Sequence, residues 1–265
     1  MKTNNNFIKS NDYRTPYNYQ RSIWDRLSFG SPMYFGTRFL SMLVGSRHLA
    51  LANKFDTKTW AKRSMDILYL TEDCGAKIFI EGLDNITSTG APVVFISNHM
   101  SMMESMIFPG LIASRREVTF VVKKSLTSHS LFGPTMRARK PIAVDRKDPI
   151  SDFKTVMSQG VEALNNGTSV VIFPQSKRMI DFDASQFNTL GIKLAKKANV
   201  AIIPVAIKTD FWGNGKVVKD ISVLNRKEPV HIKFGEPIII DGPGKKEHQK
   251  VIDFIQSNLD TWNNK

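Results

Sequence analysis

The chain has 265 residues, 42% of them hydrophobic, which is enough for one sizeable α/β core and excludes wholesale disorder. Its single cysteine, Cys74, excludes an intramolecular disulfide and a cysteine-cluster zinc site, and it suits a reducing compartment. A formal charge of +13 asks for an anionic partner: nucleic acid, an acidic membrane surface or a phosphorylated substrate.

The first 20 residues, rich in Asn, Tyr and Lys, read as a loose N-terminal arm, and residues 1–19 lack the apolar core of a signal peptide. Residues 22–72 read mainly as helix. Within them, residues 27–46 carry Phe29, Met33, Tyr34, Phe35, Phe39, Leu40, Met42 and Leu43, flanked by Arg21, Arg26 and Arg47. Arg38 divides this stretch into uncharged runs of 11 and 8 residues, short of the ~20 a membrane span needs. Two readings stay open. One is an interfacial helix or helix pair lying on a membrane, each headgroup-proximal cation adding about 1 kcal/mol on an anionic leaflet. The other is an amphipathic element packed on the protein's own core.

From residue 76 the pattern changes. Short apolar runs predict strands at 77–80, 93–96, 118–122, 142–144, 169–173, 201–207 and 231–234. Helices are predicted over 151–165, where Phe153, Val156, Met157, Val161 and Leu164 share a stripe, over 187–198 and over 245–259. Alternation of apolar strands with helices implies an α/β fold with a mixed, largely parallel sheet flanked by helices. Residues 1–72 read as an N-terminal arm and interfacial helical segment, and residues 73–265 as one catalytic domain.

Active sites in such sheets gather beyond the carboxyl ends of the strands. The strand at 93–96 runs into Ser97-Asn98-His99-Met100-Ser101-Met102-Met103-Glu104. A histidine with a carboxylate to fix its tautomer is a compact general base. On a continuous helix, residues five apart diverge by roughly 140°, so the two can meet only if the chain turns between them. Ser101 and Glu104 fit the Ncap and N3 positions of a new helix. The same pattern is a capping box, in which Glu104 simply ties back to the Ser101 amide, and an isolated histidine at a strand end is more often structural.

Between positions 123 and 147 lie seven basic residues, Lys123, Lys124, Arg137, Arg139, Lys140, Arg146 and Lys147, opposed only by Asp145. Such a rim suits a phosphate monoester or the phosphates of a carrier such as coenzyme A, although for any one lysine a solvated basic face is the commoner explanation. Pro174 then ends the strand at 169–173 and opens a loop presenting Gln175, Ser176, Lys177 and Arg178. Gln175 offers both a donor and an acceptor to substrate hydroxyls.

Together these blocks resemble the glycerolipid acyltransferase family, which includes the 1-acylglycerol-3-phosphate acyltransferases. Asn98 to Glu104 matches the family's Asn-His-x-Ser-x-x-Asp, and Ile142 to Arg146 matches its strand ending in arginine. Phe173 to Arg178 matches Phe-Pro-Glu-Gly-Thr-Arg, and Ile203-Pro204-Val205 matches a Val-Pro-Val-like strand. The resemblance covers roughly residues 78–240. It departs from the family where Glu104 replaces aspartate and where Gln175, Ser176 and Lys177 replace Glu, Gly and Thr.

The resemblance implies direct transfer of a fatty acyl group from an acyl thioester, acyl-CoA or acyl-carrier-protein, to the free hydroxyl of a lysophospholipid. With 1-acylglycerol-3-phosphate the product is phosphatidic acid. It implies His99 as base, Glu104 as its orienting carboxylate, and Arg146 and Arg178 on the acceptor phosphate. Gln175 would contact the acceptor, and Lys177, Lys123 and Lys124 complete the expected binding set. No metal or permanently bound cofactor is required, and backbone amides at the start of the helix after Ser101 are the expected oxyanion donors. The expected location is the cytoplasmic face of an acidic phospholipid membrane, peripherally bound. The altered third block motivates two alternatives: a catalytically weak lipid- or membrane-binding protein of this fold, or an acyltransferase for a different lysolipid. Nothing resembles a zinc finger, an RNP motif or a helix-turn-helix, so nucleic acid is set aside.

Overall fold

The computed structural model describes residues 7–29, 31–175, 177–213 and 224–264; residues 1–6 of the expected arm and Ser176 of the third block lie outside them. In chain order the elements are β1 (Tyr13–Arg14), α1 (Ile23–Leu27), α2 (Met33–Leu51), α3 (Thr57–Asp73), β2 (Ile78–Glu81), β3 (Val94–Ser97), α4 (Met103–Ile112), β4 (Val118–Lys123), α5 (Lys124–Ser128), α6 (Gly133–Ala138), β5 (Ile142–Val144), α7 (Pro149–Asn165), β6 (Ser169–Ile172), α8 (Leu190–Ala198), β7 (Ile202–Lys208), β8 (Val230–Phe234) and α9 (Lys245–Asn263). All the strands expected from apolar runs are present within a residue of their expected limits.

The eight strands form one sheet in the order β1-β2-β8-β7-β3-β6-β4-β5. β7, β3, β6, β4 and β5 run parallel to one another, β8 is antiparallel to β7, and β2 is parallel to β8. Central positions such as Val94, Phe95, Val170, Val171, Ile202 and Ile203 are fully buried. That is why these strands read as continuous apolar runs rather than as alternation: helices cover both faces. The carboxyl ends of the five parallel strands therefore share one rim.

The arm is not loose where it is described. Tyr13 and Arg14 pair antiparallel with Ile80 and Phe79 as an edge strand. Tyr13 Oη and Thr15 Oγ1 donate to Glu72, and Tyr19 Oη donates to Asp73. Polar anchoring of this kind leaves no hydrophobic signal in the sequence, so composition alone reads the segment as disordered.

Within the stretch over 27–46, Leu27 ends α1 and residues 33–46 belong to α2, whose N-cap is Pro32, and α2 does two things at once. Phe35 and Phe39 are buried and meet the Trp212 ring edge-on at centroid distances of 4.7 and 5.0 Å. Met33, Leu40 and Val44 on α2, with Ile23, Trp24, Leu27 and Phe29 before it, stand exposed. Of the flanking cations, Arg21 pairs with Asp25 and Arg47 donates to the Ser130 carbonyl, which leaves Arg26 on the surface. No helix among the described residues is long and apolar enough to cross a membrane.

One packing detail fixes the helix that carries Glu104. Pro109 lies inside α4 and lacks an N–H, which weakens the ladder around it. Ser64 Oγ of α3 enters the gap, accepting from Gly110 N at 2.7 Å and donating to Met106 O at 2.5 Å. Gly110 is required there, because a Cβ would sit 2.9 Å from Met65 Sδ and 3.0 Å from Met65 N. The bond across the two helices holds α4, and hence Glu104, to α3.

Candidate active site

β3 leaves the sheet after Ser97, and Asn98 makes the exit orderly. Its side-chain amide donates to Ile207 O and accepts from Ile207 N, both at 2.9 Å, so a side chain stands in for the next rung of the ladder. The chain then turns, and His99 and Glu104 converge: His99 Nδ1 lies 2.8 Å from Glu104 Oε1. α4 starts later than expected, with Met102 rather than Ser101 at the N-cap, because Ser101 Oγ accepts from Met103 N at 3.0 Å ahead of the helix. Glu104 consequently occupies the second helical position, and its longer side chain still reaches the imidazole. The capping and base-partner readings coincide, since Oε1 also accepts from the amides of Met100 at 2.7 Å and Ser101 at 2.8 Å.

The second oxygen of Glu104 is engaged as well. Ser101 Oγ and Thr209 Oγ1 lie 2.9 and 2.8 Å from Oε2. Burial acts to raise the pKa of this fully buried carboxyl, but the hydrogen bond and charge of His99, together with backbone and Thr209 bonds, outweigh it and hold Glu104 below the usual glutamate value. Because Nδ1 faces Glu104, Nε2 is the nitrogen left for a substrate. The His99 ring stacks on Phe173 at 4.4 Å and its side chain is 14% exposed, toward a cavity.

That cavity holds about 600 Å³, and Thr119, Phe120, Val121, Val122 and Lys123 of β4 all line it. At the strand rise of ~3.3 Å per residue it reaches about 13 Å along β4. Leu43, Phe55, Trp60, Ile67, Met106 and Phe132 make it largely apolar, and the Arg139 guanidinium sits 5.0 Å above the Trp60 ring. Lys123, Arg146, Lys177 and Arg178 line the same cavity as His99. Arg146 adopts a left-handed φ of 61°, uncommon for a side-chain-bearing residue. Asp152 stabilises that turn, its two oxygens accepting from Asp145 N at 2.9 Å and Arg146 N at 2.8 Å. Burial lowers the Arg146 pKa, opposed by Asp152 and reinforced by the neighbouring charge of Arg178.

Three sequence expectations need correction. Gln175 does not face the cavity: it is 2% exposed, and its Oε1 accepts from His99 N at 2.7 Å. Lys124 does not line the cavity either; it points to solvent and lies 3.4 Å from Asp145. The Met100, Ser101 and Met103 amides are engaged by Glu104 and Ser101, so the start of α4 does not offer those to an oxyanion. Sequence reasoning missed Thr209, Ser101 as a carboxylate ligand, and Asp152. Thr209 follows β7 directly, so the rule that sites gather at parallel-strand carboxyl ends points to it. Among the described residues, no cluster of three His, Cys, Asp or Glu side chains is placed to hold a metal ion.

A family model described as Acyltransferase matches residues 77–208. The 1-acyl-sn-glycerol-3-phosphate acyltransferase of Pseudomonas aeruginosa is 29% identical over 191 residues, 72% of this chain and 67% of that protein. The chloroplastic LPAT1 of Arabidopsis thaliana, of the same name, is 29% identical over 164 residues, 62% of this chain and 42% of its own length. The chain thus spans less than half of that plant relative. A crystal structure of the LPA acyltransferase PlsC from Thermotoga maritima superposes with a TM-score of 0.64 at 17% identity, covering 92% of this chain and 95% of that one. This last likeness concerns the fold.

Proposed function

The chain belongs to the acyltransferase family, and from that premise we propose that it transfers a fatty acyl group from an acyl thioester to the free hydroxyl of 1-acylglycerol-3-phosphate, forming phosphatidic acid. The observation that carries this reading is the His99–Glu104 pair at 2.8 Å, opening on an apolar cavity with cations around it. His99 Nε2 takes the proton of the acceptor hydroxyl, and its oxygen attacks the thioester carbonyl carbon. The tetrahedral intermediate collapses with cleavage of the C–S bond, and the leaving thiolate recovers the proton from the imidazolium. Glu104 stabilises that imidazolium and holds the ring in the required tautomer. Base assistance of this kind is worth about 10²–10⁴ in rate, and positioning supplies the remainder.

Arg146, Lys177 and Arg178 suit the acceptor phosphate, and the apolar walls along β4 suit the acyl chain. The donor is acyl-CoA or acyl-carrier-protein, entering as co-substrate. We assign the exposed apolar residues of α1, of α2 and of the segment between them, with Phe29 96% and Trp24 66% exposed, to the acidic surface of a membrane, met peripherally from its cytoplasmic side. The test is a panel of lysolipid acceptors with and without phosphate, each offered with both donors and scored by mass spectrometry. Transfer to the phosphorylated acceptor, abolished in His99→Ala, is expected; unchanged turnover in that variant would overturn the reading.

A further inference from the structure

The loop after β6 holds His99 from several sides. Phe173 stacks on its ring, Met179 N donates to its carbonyl at 2.9 Å, and Gln175 Oε1 accepts from its backbone N–H at 2.7 Å. Phe173, Lys177 and Arg178 line the cavity while Gln175, between them in sequence, does not. The amide orientation follows from chemistry, because only the oxygen can face a backbone N–H. Gln175 Nε2 is buried and has no partner among the described residues. A buried amide with half its hydrogen-bonding capacity unused is there for the other half.

We propose that Gln175 is a positioning residue for the base, fixing the His99 backbone through its amide oxygen, and not a ligand of the acyl acceptor. The inference rests on His99 being the base. With Asn98 tied to β7 and Glu104 tied to Nδ1, the Gln175 bond holds the remaining main-chain donor of His99, so its loss tilts the ring relative to a substrate hydroxyl. The charged group on the His99 ring is Glu104 of α4, and Arg63 of α3, Lys123, Arg139, Arg146, Lys177 and Arg178 line the cavity that the ring faces. A negative charge at position 175 would be a second anion close to the imidazole.

Two variants test this. Gln175→Met keeps the volume and removes the acceptor; kcat should fall about 10- to 100-fold while the KM for lysophosphatidate changes less than about threefold. Gln175→Glu keeps an acceptor oxygen and adds charge. It should recover most of the kcat lost in Gln175→Met, and the acid limb of its kcat/KM profile should move up by about one pH unit. NMR titration of the His99 imidazole without substrate should show the same upward move. A tenfold or larger rise in acceptor KM with kcat retained in Gln175→Met would overturn the proposal, as would an imidazole titration in Gln175→Glu that matches the wild type. The NMR measurement needs neither turnover nor the Met variant, so it still decides the matter if that variant does not fold. Absence of acyl transfer by the wild-type protein would count against the proposed function and leave the titration result standing.

Discussion

Glu104 and Lys124 are both charged groups on the carboxyl rim of the sheet, and they are held in opposite ways. Glu104 is fully buried, and both of its oxygens accept from donors contributed by two segments far apart in the chain: the loop after β3 and the residue after β7. Lys124, 63% exposed in its side chain, has a single long contact with Asp145. The contrast separates two tasks. A group that must aim an imidazole to a fraction of an ångström is fixed from several directions, whereas rim cations attract an anion through their summed field and need no single geometry.

The comparison breaks most easily at Glu104. Glu104→Ala leaves buried amides and hydroxyls without an acceptor, and a loss of about 3–5 kcal/mol is expected in urea unfolding together with loss of turnover. A loss under about 1 kcal/mol would make Glu104 no better held than a surface carboxylate. Arg178→Ala should raise the KM for a phosphate-bearing acceptor about 10- to 100-fold, the effect of one charge-assisted hydrogen bond, and leave a phosphate-free acceptor unaffected. Equal effects on both acceptors would show that Arg178 contacts something other than phosphate.

Acid titration sharpens the same contrast. The folded protein holds Glu104 below its ordinary value of 4.5, so the unfolded chain takes up the proton first as pH falls. Its contribution is therefore fully present above pH 4.5 and lost as pH drops through the depressed folded value. The wild-type urea midpoint should decline more steeply below pH 4.5 than that of Glu104→Gln; parallel acid limbs would remove Glu104 from the account. The smallest effect is expected at Lys124→Ala, at most about 1 kcal/mol in stability and less than about threefold in turnover, as for an exposed pair. A larger loss would move Lys124 into the binding site despite its outward direction.

The strand runs, the shared rim and the meeting of His99 with Glu104 were legible in the sequence because each depends on local order. Continuous apolar residues mark strands buried on both faces, and five residues with a turn between them bring two side chains together. The orientation of Gln175 was not legible. Nothing within its own loop says whether the amide faces substrate or the backbone of His99, 76 residues away. Thr209 reaches Glu104 across 105 residues, and the face of α2 that turns inward is decided by Trp212. The cavity, likewise, exists only where α2, α3, α4, β4 and α6 meet. Amino-acid order along the chain determines which residues form each element and which neighbours lie within a turn of one another. The direction of a polar side chain at the end of a strand is set by donors and acceptors that only the folded chain brings within 3 Å, and tertiary structure alone decided those.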